Sequence, residues 1–152
     1  MKTLSDDRCR AELVRRLADL RPDSTRRWGR MSAPQMVCHV IDSFRMMTGE
    51  KAVSPASSLL HRTVIKWIAL YAPLEWPPGI LTRPEVDQYG AGTKPGDFAA
   101  DMATLRATLA ALNTRGGNGG WPAHPIFGPM SERAWFRWAY LHTDHHFRQF
   151  GV

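Results

Sequence analysis

Three of the six histidines in this 152-residue chain lie within five residues near the C-terminus. His142 and His146 are four residues apart in a segment of helical periodicity, so both project from one face with Cβ atoms about 5–6 Å apart. Two imidazoles at that separation can share one metal ion. The pair alone is weak evidence of a site, because histidines near a helix C-terminus also interact favourably with the helix dipole.

A helical wheel places this pair on the inward-facing side of its helix. At about 100° per residue, one group of side chains lies within about 60° of His142: Trp135, Trp138, Ala139, His145, His146 and Gln149. The opposite side carries Arg133, Arg137, Tyr140 and Asp144. Imidazoles among tryptophans need polar partners, because an unsatisfied buried polar group is costly. A metal ion is one such partner, but it requires a third ligand from elsewhere.

His39 is the candidate for that third ligand. It lies in the middle of another predicted helix, at the border of an apolar arc and near Gln35, Asp42 and Ser43. A border position predicts a ligand at the mouth of a bundle, where a substrate can still enter. Three protein ligands with open positions are typical of catalytic rather than structural metal sites. A lone histidine here would more often be a hydrogen-bonded core residue, so the prediction depends on the trio.

The remaining histidines have separate interpretations. His145 is the rival of His146, because residues three apart also share a helix face. His61 is interpreted as a helix-start residue, and His124 as a loop residue whose imidazole fixes the HPIFG turn. Imidazole ligands suit zinc, nickel, copper or iron, so ligand type does not select the divalent ion. Zinc and nickel are the preferred predictions.

Five helices are predicted to position these residues, over about 5–20, 32–49, 59–72, 96–113 and 131–150. Ser32 and Gln35 form a capping box with a proline in the first turn, and Gly49 is a natural C-terminal stop. Residues 73–96 hold five prolines and four glycines, and residues 114–130 form a second cluster of helix breakers. No segment alternates like a strand, so the fold class is all-α, a bundle with a long Pro/Gly-rich connection.

The helix predicted over residues 59–72 is apolar on most sides. The longer apolar stretch, residues 64–81, includes Lys66, Glu75 and three prolines, so it does not form a membrane span of about twenty predominantly apolar residues. One interpretation is burial beneath the long connection. The other is a self-association surface, which predicts a homodimer.

Composition predicts one globular domain over residues 1–152. Hydrophobic residues make up 43% and charged residues 22%, which excludes a disordered tail protein. Two cysteines exclude a disulfide framework, and the N-terminal residues carry no apolar leader, which together favour the cytoplasm. The formal charge of +6 suggests nucleic acid, but the arginines are scattered without a basic run. Nucleic-acid binding therefore ranks below a small-molecule substrate, and no membrane partner is predicted.

Several quoted segments resemble one known family. They are RWGRM followed by SAPQMVCH, then HPIFGPMSERAW, and then LHTDHHFRQFG. Together they resemble the DinB-like superfamily of metal-binding four-helix bundles, and within it an uncharacterised DinB-related branch. The resemblance extends from about residue 28 to the C-terminus. The central stretch PLEWPPGILTRPEVDQ is similar to that branch in a less specific way.

This resemblance implies an up-down-down-up four-helix bundle with a divalent metal ion. Carried over residue by residue, the ligands are His39, His142 and His146, with His145 and Gln149 orienting them. Superfamily members include bacillithiol S-transferases and a mycothiol-dependent maleylpyruvate isomerase. The resemblance therefore implies a metal-dependent enzyme, a transferase using a low-molecular-weight thiol or a hydrolase. The alternative is a non-enzymatic metal-binding stress or structural protein, because fold alone does not fix chemistry.

Overall fold

The computed structural model describes residues 1–112 and 120–152. Its α-helices are α1 (Asp7–Leu17), α2 (Ala33–Thr48), α3 (Lys66–Tyr71), α4 (Phe98–Ala111) and α5 (Glu132–Phe150). A π-helical turn at His61–Ile65 leads into α3, and a 3-10 turn forms at Pro84–Val86. Over the described residues no strand occurs, and an isolated bridge joins His124 to Gly128. The predicted all-α class is confirmed. Residues 113–119, which include the predicted end of the fourth helix, lie outside the described residues.

Both ends of α2 form as predicted. The Ser32 hydroxyl accepts from the Gln35 backbone N–H (3.3 Å), and the Gln35 side chain accepts from the Ser32 N–H (2.8 Å). These bonds satisfy backbone donors that have no partner within the helix. At the other end Gly49 has a φ of 80°, a left-handed conformation that glycine adopts without a Cβ clash. The register of His39 on α2 is thereby fixed at both ends.

Helix α1 lies along α5 and runs in the same direction. The Leu4 N–H donates to the Phe136 carbonyl (3.2 Å), and farther along both helices Arg16 pairs with Asp144 (2.7 Å). This contact buries Tyr140, which is only 3% exposed. Tyr140 lies on the side of α5 opposite His142, and α1 and the N-terminal residues cover this part of that side.

Helices α2 and α4 also run in the same direction. Cys38 contacts Asp101 near the start of both helices, with 3.6 Å between the Cys38 sulfur and the carboxylate. Thr48 and Ala111 line one surface groove at their other ends. Helices α1 and α2 each pack against both α4 and α5. The core lies between these four helices and includes Trp135, Phe147, Leu13, Met36, Met47 and Leu105.

Helix α3 differs from its predicted burial. Leu70 is its only buried residue, and the other large apolar side chains of the segment are exposed. The long connection does not return across α3, because after Trp76 it packs against α2 instead. The interpretation that this helix is buried beneath the long connection is therefore wrong. Across the described part of the chain, no helix is long and apolar enough to cross a bilayer.

A buried carboxylate holds the connection against α2. Asp42 is fully buried and accepts from the Lys51 ammonium (2.7 Å) and from the backbone N–H and hydroxyl of Thr93 (2.7 Å each). A buried charge needs such partners, because transfer of an unpaired ion out of water is very costly. Asp42 therefore fixes the segment that includes the Pro84–Val86 turn.

Candidate metal centre

Helices α2 and α5 bring the three predicted ligands together. One ring nitrogen each of His39, His142 and His146 can be chosen so that all three lie within 4.8 Å of one another. The Nε2 atoms of His39 and His142 are 3.2 Å apart. The His146 ring centroid lies 4.6 Å from each of the other two. This group could hold a metal ion.

In two of these rings, a hydrogen bond determines which nitrogen has a free lone pair for a metal ion. The Nδ1 atom of His39 lies 2.6 Å from the Val86 carbonyl oxygen. Since a carbonyl only accepts, the Nδ1 atom of the neutral ring carries the proton, and Nε2 keeps its lone pair. His146 Nδ1 lies 3.0 Å from the side-chain oxygen of Gln149, whose amide nitrogen donates to the Trp28 carbonyl (2.9 Å). That donation orients the amide, so His146 also donates through Nδ1 and leaves its Nε2 lone pair available.

The three histidines differ in solvent exposure. His39 and His146 are buried, at 3% and 7% exposed, whereas His142 is partly exposed. The prediction that His39 lies at the mouth of the bundle is therefore wrong, because the Pro84–Val86 turn covers its ring. The His142 ring stacks on Trp138, with centroids 4.7 Å apart and planes 14° apart. His142 is therefore the ligand nearest to solvent.

The electrostatics keep the three imidazoles neutral. Burial lowers the pKa of His39, and burial together with the neighbouring histidines holds the pKa of His142 and of His146 well below its usual range. Metal ions bind the neutral imidazole rather than the imidazolium. Because these three rings are already neutral near neutral pH, metal binding does not first require them to lose a proton. The spacing also fits, since bonds of about 2.0–2.1 Å to zinc place two ligating nitrogens about 3.4 Å apart. The His39–His142 distance is already close to that value.

His145 lies beside this group but is not part of it. It is 6% exposed, and its Nδ1 atom is buried without a hydrogen-bond partner. Its ring centroid lies 5.7 Å from that of Trp28 and 6.1 Å from that of Trp76. The geometry therefore favours His146 over His145 as the second ligand on α5.

The other two histidines have the predicted local roles. His124 Nδ1 accepts from the backbone N–H groups of Ile126 and Phe127, both at 3.1 Å, and so fixes the turn. Burial lowers the pKa of His124 to about 3, so the ring stays neutral. His61 Nδ1 lies 2.8 Å from the Ser58 hydroxyl, which also accepts from the His61 N–H at the helix start (3.3 Å). Both interpretations are confirmed.

Two groups at the site were missed by sequence reasoning. The Val86 carbonyl supports His39, but a backbone atom gives no residue-type signal. Trp76 lies 6.3 Å from His142 between ring centroids and comes from the connection, whose path the sequence does not reveal. The close approach of Gly29 to Gln149 could have been found from the glycine in the RWGRM segment. Gly29 has a φ of 75°, and a Cβ there would lie 2.6 Å from the Gln149 amide nitrogen.

The hydrogen bond between Gln149 and His146 leads to a prediction for metal affinity. Replacing the amide in Gln149→Leu should weaken binding by roughly 10–100-fold, because a supporting acceptor fixes ring orientation and raises ligand basicity. Competition with a chromophoric chelator measures the change. Gln149→Glu is the comparison, because a carboxylate still accepts from Nδ1 although it loses the donation to the Trp28 carbonyl, and it should bind metal more tightly than Gln149→Leu. Equal affinities for the wild type and Gln149→Leu would contradict the supporting role.

The fold and the site together define an all-α protein with a buried three-histidine group that could hold a metal ion. The chain belongs to a family of proteins of unknown function, DUF1569, whose model matches residues 7–151. No curated protein and no solved structure matches the chain significantly. The family match spans all three histidines, but it assigns no reaction to them.

Proposed function

We propose that this protein is a divalent-metal-dependent enzyme of the DinB-like superfamily that acts on a small molecule. The observation that carries the proposal is the convergence of His39, His142 and His146, with the protons of His39 and His146 held on Nδ1. Rings oriented in this way are prepared for coordination. Zinc or nickel is the proposed ion, since both suit imidazole ligands.

The helix directions support the DinB-like part of the proposal. The resemblance implies an up-down-down-up bundle, in which the first helix is parallel to the last and the two middle helices are parallel. Helices α1 and α5 share a direction, as do α2 and α4. Helix α3 is then an insertion in the connection between α2 and α4.

The number and exposure of the ligands favour catalysis. Three protein ligands leave coordination positions open for a substrate. His142 is partly exposed and lies near Trp76, itself only half-buried, so a small molecule can approach from this side. A bound divalent ion would supply an activated thiolate or a hydrolytic nucleophile at these positions. The proposed reactions are thiol transfer, with a low-molecular-weight thiol as cosubstrate, and hydrolysis.

Other residues near the three ligands have supporting roles in the proposed function. Val86 and Gln149 hold the protons of His39 and His146 on the outer nitrogens. His145 offers an unpaired Nδ1 beside the ligands, where it can exchange a hydrogen bond with a bound substrate. The free cysteines, Cys9 and Cys38, are both buried, which fits a reducing cytoplasm and leaves the thiol to the cosubstrate.

A non-enzymatic role is the second candidate. His39 lies on α2, whereas His142 and His146 lie on α5, so a bound ion would join two helices that are distant in the sequence. An ion bound in this way could act only as a structural crosslink. Such a site would be coordinatively closed, and its metal would contribute folding free energy directly.

A cobalt spectrum tests the two candidates. Untagged protein is purified without nickel resin, loaded with Co²⁺, and titrated with 2-mercaptoethanol and with azide. The enzyme proposal expects new absorption from an added ligand in the wild type and no such change in His39→Ala. A spectrum that neither ligand perturbs would show a closed site and favour the structural role. Thiol-plus-electrophile and ester-hydrolysis assays on the loaded protein then separate the two reaction types.

The lowered histidine pKa values predict a pH dependence of stability. Below pH 6.5 these rings stay neutral in the folded protein but become protonated in the unfolded chain. Unfolding therefore takes up protons in this pH range. Metal-free protein should therefore be most stable above pH 6.5 and lose stability as the pH falls below it. Urea unfolding at a series of pH values measures this. The triple variant with alanine at positions 39, 142 and 146 should show a shallower dependence, and an unchanged slope would contradict the prediction.

A further inference from the structure

Exposed apolar side chains lie on α3, on the π-helical turn before it and on the residues that flank this segment. They are large and 37–79% exposed: Leu59, Leu60, Val64, Ile65, Trp67, Ile68, Tyr71 and Leu74. We refer to these residues as the α3 surface. A helix that is apolar around most of its circumference is normally buried. The α3 surface is therefore expected to be covered by something outside the single chain.

The α3 surface is held in place by its own chain. The indole N–H of Trp76 donates to the Ala69 carbonyl (2.7 Å), and the Arg137 guanidinium donates to the Leu70 carbonyl (2.9 Å). Lys66 donates to the Pro129 carbonyl at 3.3 Å. These bonds join backbone carbonyls of α3 and the Lys66 side chain to the rest of the protein. The exposed side chains of α3 are therefore held in a fixed arrangement. A fixed surface loses little conformational entropy when a partner binds.

The size of the α3 surface matches a stable interface. Scaling full residue surfaces by the exposed fractions gives a total exposed area on the order of 800 Å² for these eight residues, and about 800 Å² per partner is the standard size for a specific protein–protein interface. The α3 surface can therefore supply a large part of one side of such an interface.

The position of the exposed apolar residues indicates what covers α3. Trp67 and Tyr71 are four residues apart and lie on one face of α3, and Leu60 and Val64 extend the apolar residues into the π-helical turn before it. Over the described residues, the other large exposed apolar side chains, Met1, Ile80, Leu81 and Tyr89, lie outside helices. Within the described part of the chain, α3 is therefore the helix that exposes large apolar side chains, and a second copy of the chain offers a matching apolar face.

We propose that this protein is a homodimer in which the α3 surfaces of two copies pack against each other about a two-fold axis. A two-fold interface uses the same patch on both subunits, and an apolar patch can pack against its own copy. A membrane surface fits less well, because interfacial helices carry a charged face directed at lipid headgroups. Here Arg62 bonds to Ser57, and Lys66 bonds to Pro129, within the same chain.

The dimer would border the metal centre. Trp76 donates to Ala69 of α3 and also lies near His142 and His145. The same tryptophan therefore contacts the helix at the interface and the ligand nearest to solvent. The dimer proposal does not depend on bound metal, so its test is run on both metal-free and loaded protein.

Sedimentation velocity and light scattering across the micromolar range test the proposal on the full chain. The wild type should have twice the chain mass. Trp67→Glu and, independently, Val64→Glu should each raise the dimer dissociation constant by roughly 30-fold or more, as expected for a charge at an interface hot spot. Ala103→Glu adds the same charge to an exposed position of α4 and should leave the dimer intact. Circular dichroism checks that each variant remains folded.

Three results would overturn the proposal. One is a wild type that stays monomeric throughout the concentration range. Another is a dimer whose dissociation constant neither α3 variant changes, since its interface would then lie elsewhere. The third is a monomer that co-sediments with phosphatidylserine vesicles and loses this binding in Trp67→Glu, which would assign the α3 surface to a membrane.

Discussion

The variants His39→Ala and His146→Ala are expected to purify without bound metal, whereas wild-type protein carries about one equivalent per chain. Each substitution removes one of three nitrogens from a buried group, so the loss should exceed the roughly 10–100-fold typical of a supporting hydrogen bond. Elemental analysis of untagged protein measures the content. Because an ion that binds only the folded state stabilises it, the metal-dependent rise in melting temperature should disappear as well.

His145→Ala is the matched control for these variants. It removes an imidazole from the same helix, one residue before His146, but from outside the three-nitrogen group. Metal content should stay near that of the wild type. Full metal content in His146→Ala together with loss in His145→Ala would reverse the assignment of the second ligand on α5. Full content in all three variants would remove the metal centre altogether.

Asp42→Ala is expected to destabilise the metal-free protein by about 2–4 kcal/mol, because it removes a buried, charged acceptor of several hydrogen bonds. The substitution leaves the Lys51 ammonium and the Thr93 donors without their acceptor. For a chain of this length, the melting temperature should fall by roughly 2–4 °C per kcal/mol. Urea unfolding followed by circular dichroism measures the free energy of unfolding.

Asp97→Ala provides the comparison. Asp97 is the N-cap of α4, where its carboxylate accepts from the Ala100 N–H at the protein surface (2.8 Å). Loss of an N-cap typically costs about 1 kcal/mol. The Asp42 variant should therefore be clearly the less stable of the two. If both lose the same amount, the carboxylate of Asp42 does not hold the connection in place.

Local sequence signals predicted the elements that carry the ligands. The capping box at Ser32 and the stop at Gly49 delimit α2, and the repeat of histidines and tryptophans sets the inward face of α5. Helical periodicity then predicted that His142 and His146 project from the same face, because both lie on one helix. The trio required only that α2 and α5 be neighbours, as the resemblance implied.

The remaining features depend on contacts between distant residues. Burial of His39 depends on the turn at Pro84–Val86, whose position is set by Asp42 and Thr93 rather than by any local pattern. The exposure of α3 was likewise unpredictable. The same apolar residues suit burial within one chain or between chains, and periodicity does not distinguish the two.

The stacking of Trp138 on His142 has a spectroscopic consequence. The indole lies against a ligand ring, at 4.7 Å between centroids, so an ion held by that ring lies within close range of the fluorophore. Zinc has a filled d shell and no redox chemistry. It should leave the indole emission largely intact, whereas paramagnetic nickel or copper should quench it. The intrinsic fluorescence of the protein would then distinguish bound zinc from bound nickel or copper, without any added dye or label.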